Sequence, residues 1–387
     1  MHDESTRRAM SWAARTSILV STAAALAACT DDSPVQPKAN VPAGGPTKPS
    51  AVIHIIPEGT TFPAKIAIAT GSAVGKDATV RIYDKAGKQL AKFYAFSAFD
   101  DFTAGVDVTL GDVNGDGFPD IIAGEGPIAN SPWWGVSQIN VWDGKTGTLI
   151  STITPFAGFK LGLRVGAADV DGDGKDEVLA CTAPGVGGNR AAAFELGSNT
   201  PIYGSGSNVY TNNVPGTGGC HIAGGDLNGD GRAEMVIKFD GVANLLEVKD
   251  LKTYASRGFS IPLGWQYTGQ ADVAVGDVNG DGVKDIAMSF LQDSAVVRVF
   301  DGSKLANNGP LTLLKSFKPV YYWQGAGVDI AVRDVNGDGV ADVLYKPMKS
   351  MPFAIYSMVG AFGGPSLTSL LLWFEEFGPV APGGPIG

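Results

Sequence analysis

Five short segments carry the same alternation of carboxylates, amides and glycines: DVNGDGFPD from Asp112, DVDGDGKDE from Asp169, DLNGDGRAE from Asp226, DVNGDGVKD from Asp277 and DVNGDGVAD from Asp334. Calcium takes about six to eight oxygens, drawn from carboxylates, amides and backbone carbonyls. In the shared pattern D-x-[DN]-x-D-G-x-x-[DE], positions one, three, five and nine can turn towards one ion. The glycine at position six allows the sharp turn, and the seventh residue can offer its carbonyl. The first ligand set is then Asp112, Asn114, Asp116, Asp120 and the carbonyl of Phe118, and the second Asp169, Asp171, Asp173, Glu177 and the carbonyl of Lys175. The third is Asp226, Asn228, Asp230, Glu234 with Arg232, the fourth Asp277, Asn279, Asp281, Asp285 with Val283, and the fifth Asp334, Asn336, Asp338, Asp342 with Val340.

An EF-hand would place a glutamate at position twelve and continue into a helix. Here position twelve is Ala123, Ala180, Ile237, Met288 or Tyr345, and a strand pattern follows. Asn-Gly and Asp-Gly make turns without any metal. Turn-making alone does not call for the carboxylate that all five segments hold at position nine. The expectation is about five calcium ions. Charge agrees: the chain carries −10, and residues 29–387 hold 26 basic and 37 acidic side chains, a balance of −11 that five calcium ions would offset by +10. Without the ions, three or four carboxylates would crowd each loop and repel. The acidic balance also argues against nucleic acid, whose phosphates demand a basic face.

The elements that position these loops repeat with them. The loop starts are spaced by 57, 57, 51 and 57 residues. An apolar strand precedes each loop (Val106 to Leu110, Val273 to Val275) and another follows (Ile121 to Ala123, Ile286 to Met288). A third strand ends in an Asp-Gly turn (INVWDGKTG, VRVFDG), a strong hairpin signal, and a fourth is clear in Thr148 to Thr154. A sixth unit lies upstream: sliding back 56 residues aligns Phe62-Pro63 with Phe118-Pro119, and VRIYDKAGK (Val80 to Lys88) matches the third-strand hairpin. Its ligand positions have become Ile56, Glu58, Thr60 and Ala64, so this unit has lost its metal. The predicted fold is all-β: a β-propeller of six four-stranded blades, seven being the alternative, with calcium loops between strands one and two of five blades.

These repeats resemble the FG-GAP, or VCBS-type, repeats of the integrin α-chain N-terminal propeller and of many bacterial repeat proteins. The resemblance runs from about residue 52 nearly to the end of the chain. It implies calcium on one face and partner binding on the other. It leaves the blade count open, because integrin propellers have seven blades and this chain has room for six.

The expected ligand face is rich in aromatics. Trp133-Trp134 lies in a strand-two-to-three loop, while Trp265-Gln266-Tyr267 and Tyr321-Tyr322-Trp323-Gln324 lie in crossings between blades. Aromatics beside amides can stack on sugar rings or anchor a protein partner; packing between blades is the alternative. Motifs for catalysis are missing: there is no HExxH segment, nucleophile elbow or Gly-rich phosphate loop. His54 and His221 lie on predicted strands and read as structural. The chain thus reads as a non-catalytic calcium-binding propeller with a protein or glycan ligand. The alternative is a polysaccharide lyase-like enzyme.

The amino-terminal residues read as targeting. Arg7, Arg8 and Arg15 precede an apolar run from Ile18 to Ala28, which suits a signal peptide over 1–28. Leu26-Ala27-Ala28-Cys29 resembles a bacterial lipobox, so Cys29 is the expected lipidation site; an ordinary secretory signal is the alternative. Residues 29–50 hold Pro34, Pro37, Pro42, Pro46 and Pro49 and read as a disordered tether, leaving 51–387 as the propeller. The expected location is the bacterial cell envelope, by lipid anchor. Export permits a disulfide; Cys181 and Cys220 are either bridged or two buried thiols.

Overall fold

The computed structural model describes residues 68–376, apart from 73–77, 97–104, 127–136, 185–188, 203–209, 212–217, 242–244, 252, 254–255, 261–268, 294–295, 306–308, 320–324, 348–356 and 364–368. The signal segment, Cys29, the tether and the degenerate first loop lie outside the described residues. No helix occurs among the described residues, and none is long and apolar enough to cross a membrane.

Six antiparallel sheets follow one another along the chain, each built from consecutive strands in meander order. Sheet 1 contains Ile68–Gly71, Thr79–Tyr83 and Gln89–Tyr94. Sheet 2 contains Val106–Gly111, Asp120–Glu125, Ile139–Trp142 and Leu149–Ile153, and sheet 3 Leu163–Ala168, Glu177–Thr182, Arg190–Phe194 and Tyr210–Thr211. Sheet 4 contains Cys220–Gly225, Glu234–Phe239, Leu245–Lys249 and Ser256–Ser260. Sheet 5 contains Ala271–Gly276, Asp285–Phe290, Val297–Asp301 and Thr312–Phe317, and sheet 6 Val328–Arg333, Asp342–Pro347, Ser357–Gly363 and Ser369–Glu376. A small ribbon, Gln292–Asp293 with Gly325–Ala326, ties the second-to-third-strand loop of sheet 5 to the crossing into sheet 6.

One register repeats through sheets 2 to 6. The last residue of the first strand pairs with position nine of the loop: Gly111 with Asp120, Ala168 with Glu177, Gly225 with Glu234, Gly276 with Asp285 and Arg333 with Asp342. By this alignment Ile68–Gly71 corresponds to a second strand, and the residues before it lie outside the described residues.

The cores lie between sheets. Val80, Ile82 and Phe93 meet Val106 and Val108; Ile122 and Val141 meet Leu163 and Val165; Leu179 and Ala191 meet Ile222 and Ile237. Val236 and Leu246 then meet Val273 and Met288, and Ala287 and Val299 meet Ile330 and Val343. A repeat therefore cannot bury its apolar faces without its neighbour. The second strand of each sheet is buried along its whole length, as in Asp120–Glu125 and Glu177–Thr182, because neighbours cover both its faces. That is why these strands read as continuous apolar runs rather than alternating ones.

First strands of successive sheets pack together from sheet 2 to sheet 6. Their approach is close. A Cβ on Gly111 would lie 2.4 Å from Ala167 Cβ, and one on Gly276 2.4 Å from Val332 Cγ1, which accounts for the glycine before the loop aspartate in sheets 2 and 5.

Of the two states open for the cysteines, the structure has the bridge. Cys181, on the second strand of sheet 3, is disulfide-bonded to Cys220, on the first strand of sheet 4, with Cα atoms 5.9 Å apart. The bridge closes a stretch of 39 residues and adds a covalent tie between two sheets that also meet through side-chain packing and a few hydrogen bonds. Replacing both cysteines by serine is expected to lower the unfolding free energy by about 2–4 kcal/mol. Urea unfolding under non-reducing conditions reads this, and an unchanged midpoint would contradict the staple.

Candidate metal loops and axial cavity

Each loop is organised by its own carboxylates. The position-one aspartate accepts from the glycine N–H groups at positions four and six in all five loops, at 2.5–2.9 Å. Those two glycines have positive φ throughout, for example 76° at Gly115 and 82° at Gly117, a region that other residues avoid. The motif's second glycine signal is thus position four, which sequence reasoning attributed to turns in general. The position-three side chain accepts from the position-five N–H, and the position-five carboxylate from the position-seven N–H of Phe118, Lys175, Arg232, Val283 or Val340.

Position nine is the buried member. Asp120, Glu177, Glu234, Asp285 and Asp342 are all at most 4% exposed. Each accepts from the position-two N–H at 2.7–3.1 Å. Gly144 N–H donates to Asp120 Oδ1 and Gly302 N–H to Asp285 Oδ1, which binds the Asp-Gly hairpin turn of the same sheet to its loop. A Cβ on Gly144 would sit 1.8 Å from the Pro119 carbonyl oxygen, so only glycine fits there.

Burial raises these carboxyls. Asp120, Asp285 and Asp342 are pushed up to about 6, Glu234 to about 7 and Glu177 to about 8; neighbouring carboxylates add to the rise, those of the loop in four cases and Asp143 of the hairpin turn for Asp120. Asp169, Asp171 and Glu177 can bring one oxygen each within 4.8 Å of one another. At loop five, Asp342 Oδ1 is buried and accepts no hydrogen bond. Exposed lysines provide a weak counter-charge: Lys145 Nζ is 3.7 Å from Asp116, and Lys175 Nζ 3.4 Å from Asp173. Crowded carboxylates, a buried orphan oxygen and abundant oxygen donors suit a hard divalent cation.

The loops also grip each other. The position-eight N–H of one loop donates to the position-one carbonyl of the preceding loop: Asp176 to Asp112, Ala233 to Asp169 and Ala341 to Asp277, at 2.7–2.9 Å. Asp112 N–H returns a bond to Asp176 Oδ2.

At the opposite end of the first strands lies a group that sequence reasoning missed. The second residues of these strands are Asp107, Arg164, His221, Asp272 and Asp329, and all five line one cavity of about 190 Å³ between the sheets. Asp107 Oδ2 accepts from Val165 N–H, and Asp272 Oδ2 from Ile330 N–H, so each bonds to the next sheet. Arg164 Nη1 is 3.4 Å from Asp107 Oδ1. His221 lies between two carboxylates, with Nε2 3.4 Å from Asp240 Oδ2 and Nδ1 3.3 Å from Asp272 Oδ1. Burial alone would lower the imidazole, but Asp240 and Asp272 outweigh it and raise His221 to about 9. The signal was present in the sequence: five residues before each loop aspartate, a mainly apolar strand holds an ionisable residue.

The predicted aromatic residues Trp133, Trp134, Trp265, Gln266, Tyr267, Tyr321, Tyr322, Trp323 and Gln324 lie outside the described residues.

Successive meander sheets with cores between them and first strands packed side by side define a fold of the β-propeller type. Within it the chain carries an FG-GAP repeat: residues 161–194, spanning the first three strands of sheet 3 and its loop, match that family's model. Among solved structures, the chain is similar to a periplasmic gluconolactonase of Pseudomonas aeruginosa, at 13% identity and a TM-score of 0.49, covering 82% of this chain and 98% of that one. It is also similar to an Agrocybe aegerita lectin that recognises non-reducing terminal N-acetylglucosamine (16% identity, TM-score 0.43, 84% and 81% covered). A third is a Bacillus licheniformis rhamnogalacturonan lyase (13% identity, TM-score 0.27, 81% and 65% covered).

The raised position-nine carboxyls set a pH dependence. Without divalent cations, the native state holds protons on these groups between the ordinary carboxyl range, about 4, and their folded values, while the unfolded state does not. Stability in chelator should therefore fall as pH rises from about 5 to about 8. Urea midpoints across that range test the sign, and a midpoint that climbs with pH in chelator would contradict it.

Proposed function

We propose that this chain is a six-bladed propeller, stabilised by calcium in five blades, that offers the face opposite its metal loops to a protein or glycan ligand. The observation that carries the metal reading is the buried Asp342 Oδ1, left without a hydrogen bond beside the other carboxylates of its loop. Such an oxygen is costly unless a cation meets it. The same pattern of carboxylates and amides recurs in the four other loops. In four of the five loops an asparagine amide donates to a neighbouring carboxylate: Asn114 to Asp120, Asn228 to Glu234, Asn279 to Asp281 and Asn336 to Asp338. A calcium ion would take over that neutralising role, held by the side chains at positions one, three, five and nine and the position-seven carbonyl.

The ligand would engage Trp133 and Trp134 together with the crossings that hold Trp265 to Tyr267 and Tyr321 to Gln324. These crossings precede in sequence the strands that begin with Ala271 and Val328, whose starts are the ends remote from the loops, which supports this reading. With Cys29 acylated and residues 30–50 as a tether, that face would be displayed from the bacterial cell envelope. The function is binding rather than catalysis. The charged axial cavity is the one feature that favours the alternative, a polysaccharide lyase-like enzyme.

Thermal melts in calcium and in chelator test the scaffold. With several sites saturated at once, calcium is expected to raise Tm by more than about 10 °C. Equal melting temperatures in the two conditions would remove the metal from this account.

A further inference from the structure

The axial cavity is not the main tie between the sheets, although Asp107 and Asp272 each accept a backbone N–H of the next sheet. Five between-sheet cores and a disulfide carry most of that joining. Buried ion pairs give little net stability over apolar packing, because desolvation offsets their attraction. Yet the cavity concentrates three carboxylates, Asp107, Asp272 and Asp329, and three cationic groups, Arg164, His221 and Arg333. Over the whole lining these charges balance, with Arg333 at the loop end completing the count, and at the remote end a guanidinium and an imidazolium offset two of the three carboxylates. A metal ion fits poorly: a guanidinium and an imidazolium stand among the carboxylates. The group of three metal-type donors that converges among the described residues is in a loop, at Asp169, Asp171 and Glu177. A phosphate would face three carboxylates.

What remains is a neutral ligand that both donates and accepts. Hydroxyl groups do so, with one donor and two acceptor lone pairs each. A vicinal diol can donate to an aspartate while accepting from an arginine on the neighbouring strand. Arg164 Nε is buried and makes no hydrogen bond, leaving a donor unused beside the cavity. The volume, about 190 Å³, is below the roughly 300–1,000 Å³ of pockets for drug-sized ligands, so the occupant is small. Five of the six charged residues sit at the second position of their six-residue first strands, the end remote from the metal loop; Arg333 closes its strand at the loop end.

We propose that this cavity is the binding site for a single neutral sugar ring, with Asp107, Asp272 and Asp329 accepting from its hydroxyls, Arg164 donating to them, and His221 holding Asp272 in place beside them. The site deepens, and rests on, the reading of a ligand-binding face opposite the loops. It assigns the glycan class to that ligand and moves its anchor from the aromatic loops to the axis.

The test uses the full chain in calcium and a panel of methyl glycosides of glucose, galactose, mannose and N-acetylglucosamine. Saturation-transfer NMR reads binding, and the His221 ring resonances read the site directly in the unaltered protein. At least one sugar should bind and shift those resonances, and Asp329→Asn and Arg164→Gln should each weaken binding at least tenfold. Arg164→Lys keeps the charge but loses the planar fork, and should weaken it less. Binding that leaves His221 unmoved and is lost only in Trp133→Ala, Trp134→Ala would overturn the axial site while preserving the ligand-binding face. Binding of none of the sugars would overturn the sugar assignment, and the calcium melts would still judge the scaffold separately.

Discussion

Each loop sets a buried carboxylate directly under the end of a first strand and surrounds it with two or three more. That crowding is the constraint on which the rest depends. The position-nine residue pairs with the last residue of the first strand, so its burial is fixed by the register of the sheet. It cannot swing out to water without breaking the hairpin that begins the repeat. The chain satisfies one of its oxygens with the position-two N–H, and in sheets 2 and 5 the other with the glycine of an Asp-Gly turn. Sheet 6 lacks that second bond among the described residues, and there the oxygen is orphaned.

The same loops connect neighbours. Because position-eight amides donate to the carbonyl of the preceding loop's first aspartate, a cation bound in one loop would hold the backbone that the next loop uses. Apolar packing joins the sheets along their faces, and these hydrogen bonds join them at the loop end. The disulfide adds one covalent tie, between sheets 3 and 4. Stability in such an array is a sum over repeats and their interfaces. The proposed ions therefore act at the interfaces as well as within each repeat.

The repeat period, the loop positions and the strand order were legible in the sequence because one register governs all five loops. The cavity residues were not. Within a single strand, Asp107 or His221 reads as an isolated polar residue, and only the stacking of first strands brings them to one place. Lys238 and Lys346 are fully buried, although lysine ordinarily marks a surface position; each pairs in register with a cavity residue, His221 and Asp329 respectively. Cross-sheet neighbours of that kind follow from tertiary placement, not from local pattern. The cysteine pair was ambiguous for the same reason: its closeness depends on the approach of two sheets.

Calorimetric titration of the full chain with calcium measures most directly whether the loops are ion sites. Close to five sites per chain are expected, with loss of one site when Asp342→Asn removes the buried carboxylate charge of the last loop. No measurable calcium binding would contradict the account and leave five buried carboxylates without the cation proposed to satisfy them.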